Sequence, residues 1–262
     1  MSGGWFTRAE NLAHPCGVWI LFALFLSLVP LPVHAADDEI IFSLFSRGWP
    51  PFEMVVDGEP QGAAPKFLAA VLPKGVRMKV LPYPAARLYL YPPKGPVHVR
   101  LEAKEWMSPK HDLLWSVPVM KSLNVLYSPA QRPLEFTGID CLEGKVIGCI
   151  KNYFYPAVQP LFDEGRATRY NVNGMQPLMR MLKAGRIDAA VLDQSTARWY
   201  IASQAELTPD NFHVASNPVD SVDLRFVFNN IPQWEARLPE LNANIERARE
   251  QGVFQRILSQ FE

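Results

Sequence analysis

Residues 178–200 read LMRMLKAGRIDAAVLDQSTARWY and predict a helix, a buried strand and a second helix in succession. The first part carries apolar residues at helical spacing, which indicates an amphipathic helix. These residues are Leu178, Met181 and Leu182. Gly185 is a natural end for this helix, because glycine accepts the left-handed backbone that a helix C-terminus needs. Ile187–Leu192 follows as a short, largely apolar run, as expected of a buried parallel strand.

Asp193 stands at the carboxyl end of that predicted strand, and Ser195 or Thr196 is placed to open the next helix. In an open α/β sheet, the carboxyl ends of the strands border the crevice in which ligands bind. We therefore predict that Asp193 meets a cationic group of a small molecule. The alternative is that its carboxylate caps the helix beginning near Ser195.

The N-terminal segment has the pattern of a secretory signal peptide. Val18–Val29 is apolar except for Ser27, is too short to span a bilayer comfortably, and is followed by prolines. Val33-His34-Ala35 fits the small-residue cleavage pattern. We predict a signal peptide at residues 1–35 and a mature protein in the periplasm, with an uncleaved membrane anchor as the alternative.

The composition narrows the range of partners. Lys plus Arg and Asp plus Glu number 26 each, which leaves no electrostatic basis for binding nucleic acid or an anionic membrane surface. The hydrophobic share of 48% is sufficient for a core. We expect a soluble mature chain of about 227 residues, within the range of one large domain or two small lobes, and a monomer.

The cysteine and histidine residues favour no metal site. Cys141 and Cys149 remain after removal of the signal peptide, and they are either bridged or buried as two small apolar residues. The five histidines do not cluster with these cysteines at the spacing of metal ligands. We expect neither a metal nor a cofactor.

From Glu39 onward, short apolar strands alternate with helical segments, which predicts βαβ units and a mainly parallel sheet. The predicted strands are Glu39–Leu44, Val76–Val80, Val97–Leu101, Leu123–Tyr127, Lys145–Ile150, Ala167–Asn171, Ile187–Leu192, Phe212–Ala215 and Leu224–Phe228. Besides the helices of residues 178–200, the predicted helices are Pro65–Leu72, Ala85–Tyr91, Tyr155–Phe162, Glu235–Arg249 and Val253–Phe261.

Five short sequence motifs carry a resemblance to a known family. The resemblance extends over nearly the whole mature chain. The motifs are Trp49–Glu53 (WPPFE), Asp57-Gly58 with Gly62, Trp115–Pro118 (WSVP), Leu142–Gly148 (LEGKVIG) and Gly185–Ala189 (GRIDA). In this order they resemble bacterial periplasmic solute-binding proteins of the polar amino-acid type, known as family 3.

The resemblance implies a fold that periodicity does not give. The family has the bilobal periplasmic-binding-protein type II fold, in which two mainly parallel α/β lobes are joined by two crossover segments. Here the crossings are expected near Val119–Lys121 and Pro218–Val222. Lobe 1 would then comprise residues 36–120 plus 221–262, and lobe 2 would comprise residues 121–220.

The resemblance also implies a ligand site where positions match. Asp193 aligns with the acid that holds the α-ammonium group of the ligand, a role that suits a carboxylate. Trp49 falls near the aromatic residue that packs on the ligand side chain. Lys151, Asn152 and Tyr153 fall on the loop after the first strand of lobe 2, which supplies donors to the ligand.

The first-lobe half of this site departs from the family. Lys110 is the best match for the arginine that grips the α-carboxylate, and a lysine lacks the planar fork of an arginine. Glu105 falls near a family threonine, and His98 stands at the position of a family aspartate. Arg87, in a proline-x-x-arginine phrase found in divergent members, is a further candidate for the cleft, with a solvated or salt-bridging arginine as the alternative.

The sequence favours a binding protein over an enzyme. It shows no nucleophile–base set, no metal-binding helix and no phosphate-binding glycine loop. The resemblance implies capture of an amino acid or similar small polar solute for an inner-membrane ABC permease. Two alternatives remain open: a sensing subunit for a membrane receptor, and a periplasmic dehydratase of the cyclohexadienyl type with Glu105 or Glu53 as its acid.

Overall fold

The computed structural model describes residues 38–88, 95–107, 112–151 and 153–261. The predicted signal peptide at residues 1–35 lies outside these ranges, as do two of the predicted site residues, Lys110 and Asn152. None of the helices within the described ranges is long and apolar enough to cross a bilayer.

Strands and helices alternate along most of the chain. The strands are β1 (Asp38–Phe45), β2 (Met54–Val56), β3 (Glu59–Gln61), β4 (Val76–Tyr83), β5 (Val97–Ala103), β6 (Leu113–Trp115), β7 (Met120–Pro129), β8 (Val146–Ile150), β9 (Thr168–Val172), β10 (Ala189–Asp193) and β11 (Phe212–Asn229). The helices are α1 (Ala63–Val71), α2 (Ala85–Leu88), α3 (Gln159–Asp163), α4 (Met175–Lys183), α5 (Gln194–Ser203), α6 (Pro232–Glu235), α7 (Leu238–Glu250) and α8 (Val253–Leu258). Short 3₁₀ turns lie at Lys104–Trp106, Ile139–Leu142 and Pro209–Asn211.

A nine-stranded sheet runs through the described chain in the order β4-β1-β5-β11-β7-β10-β8-β9, with β6 paired to β11, and β2 and β3 form a separate two-stranded sheet. At one end β1 pairs in parallel with β4 and β5, and at the other β8 pairs in parallel with β10 and β9. The long strands β7 and β11 lie between these groups and pair with each other antiparallel. Two parallel α/β groups are thus connected by a pair of crossing strands.

Buried apolar residues divide between the two groups. The first cluster takes its members from residues 40–119 and 224–254, and it includes α1, α7 and α8. Two further clusters take theirs from residues 125–215, on the two faces of the β7–β10–β8 region. The clusters change over near residues 120 and 220, and the lobe boundaries predicted there stay a proposal.

Several elements differ from the predicted ones. The two late strands form one strand, β11, because its middle part continues to pair with β7 through irregularities between Val214 and Asp220. The predicted helix Glu235–Arg249 begins earlier and is divided into α6 and α7. The hairpin β2–β3 and the strand β6 are absent from the sequence-based prediction.

The two cysteines are free thiols in the structure. Cys149 is buried in the third cluster, and Cys141 packs against that cluster. Burial raises the pKa of the Cys149 thiol to about 11. The sequence left open whether these cysteines form a disulfide, and in the structure they do not.

Replacing Gly62 by alanine is expected to destabilise the fold by about 2 kcal/mol. Gly62 precedes α1 with a φ of 136°, and a Cβ there would clash with the backbone carbonyl of Phe52. Chemical denaturation measures the loss. Gly58→Ala is the matched control, because Gly58 also has a positive φ of 84° but has open space around it. Equal losses in the two variants would contradict the steric explanation.

Candidate functional site

The candidate site lies where two pairs of parallel strands end, β1 with β5 and β8 with β10. The chain leaves β1 toward Trp49, β5 toward Trp106 and β8 toward Tyr153, and β10 ends on Asp193. Because ligands bind outside the carboxyl ends of strands in α/β sheets, these ends mark the crevice. Two of them belong to the first group of strands and two to the second.

Asp193 is held by one donor from each of two different elements. Its Oδ1 accepts a hydrogen bond from the backbone N–H of Thr196 at 2.7 Å, which makes Asp193 the N-cap of α5. Its Oδ2 accepts a hydrogen bond from the Ser122 hydroxyl on β7 at 2.6 Å. The helix therefore begins at Gln194, and the predicted opening by Ser195 or Thr196 is wrong because the acid itself is the cap.

The carboxylate of Asp193 sits in a largely desolvated position. Burial raises its pKa above the ordinary value, and the hydrogen bonds from Ser122 and Thr196 act in the opposite direction. The residue keeps some exposure, and no ion pair to it occurs among the described residues. The sequence left open whether Asp193 caps the next helix or contacts a ligand. The structure shows the cap, and contact with a ligand ammonium stays a prediction.

Trp49 belongs to a small aromatic group at the end of β1. Its ring lies 4.6 Å from that of Phe52 and 5.8 Å edge-on from that of Trp106, measured between centroids. Trp49 also packs against the first cluster, so it is partly a core residue. Trp106 is 38% exposed, and sequence reasoning did not select it. It directly follows Glu105, which was selected from the sequence, and that neighbour was the available signal.

Glu53 turns into the protein instead of toward the crevice. It is 1% exposed, and its Oε2 accepts a hydrogen bond from the backbone N–H of Phe45 at 2.6 Å. Burial raises the pKa of this carboxyl to about 7, although the nearby Arg100 guanidinium opposes the rise. Arg100 also forms a buried salt bridge of 2.7 Å with Glu102. The Glu53 carboxyl is thus almost fully shielded from solvent.

The loop after β8 presents exposed side chains. Lys151 is exposed, and Tyr153 and Phe154 are 50% and 65% exposed. The loop is nonetheless anchored, because Arg169 donates from Nη2 to the carbonyl of Tyr153 at 2.7 Å. Lys151 and Tyr153 thus lie directly after β8, and their contact with a ligand stays a prediction. Phe154 was not predicted.

The remaining candidates of the first strand group are spread out. Arg87 lies exposed on α2, and Glu105 lies exposed on the 3₁₀ turn after β5. His98 is tied into the sheet, since its Nδ1 lies 2.9 Å from the Ser43 hydroxyl oxygen and its backbone N–H donates to Asn229. Burial lowers the pKa of His98. No group of histidine, cysteine or acidic residues suited to a metal ion occurs within the described ranges.

Comparison with known proteins places the fold. No protein-family model and no curated protein sequence matches this chain. The GluR0 ligand-binding core in complex with L-glutamate matches with a TM-score of 0.65 at 15% identity, over 87% of this chain and 99% of that one. AbpA from Streptococcus pneumoniae, an amino acid ABC transporter substrate-binding protein bound to L-arginine, matches with a TM-score of 0.60 at 17% identity, over 85% and 94%. This chain has the bilobal fold of periplasmic binding proteins.

A third similar structure bears on the enzyme alternative. AncCDT-1 is an ancestral amino acid-binding protein described as a precursor of cyclohexadienyl dehydratase. It matches with a TM-score of 0.62 at 14% identity, over 86% of this chain and 95% of that one. At such identities the likeness establishes the fold, and the ligand must be argued from the site of this chain.

Proposed function

We propose that this protein captures a small, ammonium-bearing polar solute in the periplasm, as a divergent solute-binding protein of family 3 that serves an inner-membrane ABC permease. The observation that carries the proposal is Asp193. Its carboxylate lies at the carboxyl end of β10, oriented by two hydrogen bonds and without a cationic partner among the described residues. Charge-assisted hydrogen bonds to an ammonium group are the interaction that such an acid is placed to make.

The mechanism is selection of a closed form. A ligand that contacts both lobes favours the conformation in which the lobes approach each other, by its difference in affinity for the two states. Asp193 and the loop Lys151–Tyr153, which contains Asn152, would act from lobe 2. Trp49, Arg87 and Lys110 would act from lobe 1. The strands β7 and β11 are the segments that would bend.

The aromatic residues around the crevice indicate the rest of the ligand. Trp106, Tyr153 and Phe154 are large side chains left substantially exposed at strand ends on both groups. Their rings provide apolar faces and are suited to cover an aliphatic, aromatic or flat cationic group. We infer that the solute carries such a group beside its ammonium.

A thermal-shift series on the mature protein tests the proposal. A compound that binds only the folded state raises the free energy of unfolding by mass action, by about 2.7 kcal/mol at a concentration of about 100 Kd. The melting temperature rises accordingly. The series pairs L-arginine with agmatine and L-phenylalanine with phenethylamine, and adds L-glutamine, putrescine and succinate. We expect a rise with at least one amine-bearing compound. A rise with succinate alone, or with none of these compounds, would contradict the proposal.

The dehydratase alternative rests on the likeness to AncCDT-1. Of its two candidate acids, Glu53 is buried and turned toward Phe45, which leaves Glu105 as the exposed one. Steady turnover of prephenate by the mature protein, abolished by Glu105→Gln, would replace the binding proposal with the enzyme. A ligand-sensing subunit would bind the same solute, and it differs only in the membrane partner.

A further inference from the structure

Ser122 is a buried polar residue near the start of the crossing strand β7. It is 2% exposed, and its hydroxyl donates to Oδ2 of Asp193 at 2.6 Å. Met120, two residues before it, packs against the first cluster, and Leu123, directly after it, packs against the second. Ser122 therefore lies at the point where the strand passes from one core to the other.

The pairing of β10 with β7 explains why these two side chains meet. Asp193 pairs with Asn124 in the antiparallel register. Because side chains two residues apart on a strand share one face, Asn124 and Ser122 point to the same side as Asp193. The hydroxyl of Ser122 thus comes from the crossing strand, whereas the N–H of Thr196 comes from α5.

We propose that Ser122 is a positioning residue of the binding site. Its hydroxyl holds the Asp193 carboxylate in the orientation needed to meet a ligand ammonium, and it connects that carboxylate to the strand that crosses between the lobes. The inference rests on the proposed function for the ligand contact. We do not propose that the Ser122 hydroxyl contacts the ligand.

The electrostatic surroundings give this hydroxyl a measurable effect. A buried carboxylate loses solvation, so each donor to it stabilises the charged form. Tyr127 of β7 interacts electrostatically with both Asp193 and Arg198 of α5, and burial raises the pKa of Tyr127 to about 12, which keeps it neutral below that pH. On the neighbouring β11, Asp220 accepts a hydrogen bond from Asn124 at 2.6 Å. Removing the Ser122 hydroxyl should therefore raise the pKa of Asp193.

The primary test follows the carboxyl carbon of Asp193 by NMR during an acid titration of the ligand-free mature protein, with Asp193→Asn identifying the signal. In Ser122→Ala we expect the pKa of Asp193 to rise by about one to two pH units, the equivalent of one hydrogen bond to a charged group. Ser122→Thr, which keeps a hydroxyl, should restore the original value.

Ser128→Ala is the matched control, since Ser128 is a fully buried serine on the same strand whose hydroxyl oxygen accepts from the backbone N–H of Leu134 at 3.0 Å. It should leave the Asp193 titration unchanged. An unchanged titration in Ser122→Ala, or an equal change in Ser128→Ala, would overturn the inference. Thermal denaturation of each variant verifies that it is folded.

A second arm uses L-arginine as the binding probe in calorimetry at about pH 8 and about pH 5. In Ser122→Ala the affinity should fall more steeply on acidification than in the wild-type protein, by roughly tenfold per pH unit once Asp193 is protonated. An equally steep fall in both proteins would overturn the positioning role. If the wild-type protein does not bind L-arginine, the arm uses the amine-bearing compound that gives the largest thermal shift. If none of those compounds binds, the proposed function fails, and the ligand-free titration still decides the role of Ser122.

Discussion

Replacing Asp193 by alanine is expected to lower the affinity for an amine-bearing ligand by more than tenfold. A charge-assisted hydrogen bond contributes about 1.5–3 kcal/mol, and no other residue described at this strand end offers an acid to the ligand ammonium. The same change removes the N-cap of α5, which costs about 1 kcal/mol of stability. Calorimetric titration with the compound that gives the largest thermal shift measures the affinity, and denaturation measures the stability.

Asp193→Asn separates the two effects. Asparagine is as good an N-cap as aspartate, because its Oδ1 still accepts the hydrogen bond from the N–H of Thr196. Its amide N–H can donate to the Ser122 hydroxyl oxygen where the carboxylate accepted from that hydroxyl, and the side chain carries no charge. This variant should lose the affinity and keep the stability. Asp163→Asn, which removes one charge from an exposed residue on α3, is the control for net charge. Undiminished affinity in both Asp193 variants would remove this residue from the site and with it the observation on which the proposed function depends.

The elements that sequence reasoning placed best are those specified by local pattern. The order of α4, β10 and α5, with Asp193 at the turn, follows from helical spacing, a short apolar run and a capping residue within about 25 residues. The structure shows this order, with α5 beginning directly after the acid. A helix cap and a ligand contact do not exclude each other, because only Oδ1 of Asp193 serves the helix, and Oδ2 keeps a second lone pair beside the one that accepts from Ser122.

Elements specified by distant partners were harder to predict. The stretch around Ser216–Pro218 is polar and contains a proline, which is typical of a turn, yet β11 continues through it. Pairing with β7 extends the strand, and the pairing is irregular where proline lacks an N–H to donate. The periodicity of a sequence is a local property, so it does not reveal pairing with a strand almost a hundred residues away.

The site shows the same contrast between local and distant information. Ser122 and Asn124 alternate with the apolar Leu123 and Val125, a period-two signal that one face of this strand meets polar groups. That signal was available in the sequence, although its target on β10 was not. The contact between Trp49 and Trp106 joins loops after different strands, so only the folded sheet brings these rings together.

The substitution Glu53→Gln is expected to raise the free energy of unfolding relative to the wild-type protein, and this gain should be about 3 kcal/mol larger at alkaline than at acidic pH. The carboxyl of Glu53 has a pKa of about 7 in the folded protein against a usual 4.5, so between these values the folded state binds more protons than the unfolded state. Stability from this group is therefore complete below about pH 4.5 and is lost as the pH rises through about 7. Glutamine keeps an acceptor for the N–H of Phe45 and has no charge to bury.

Urea denaturation of both proteins across this pH range measures the effect, as the difference between their free energies of unfolding. The difference should be small near pH 4, grow between about pH 4.5 and 7, and stay constant above. Glu59→Gln, at an exposed position on β3, removes the same charge where it is solvated and should give a flat, small difference. Parallel curves for the wild-type protein and Glu53→Gln would mean that the carboxyl ionises as freely in the folded chain as in the unfolded one, and that its burial beside Arg100 and Glu102 is fully compensated.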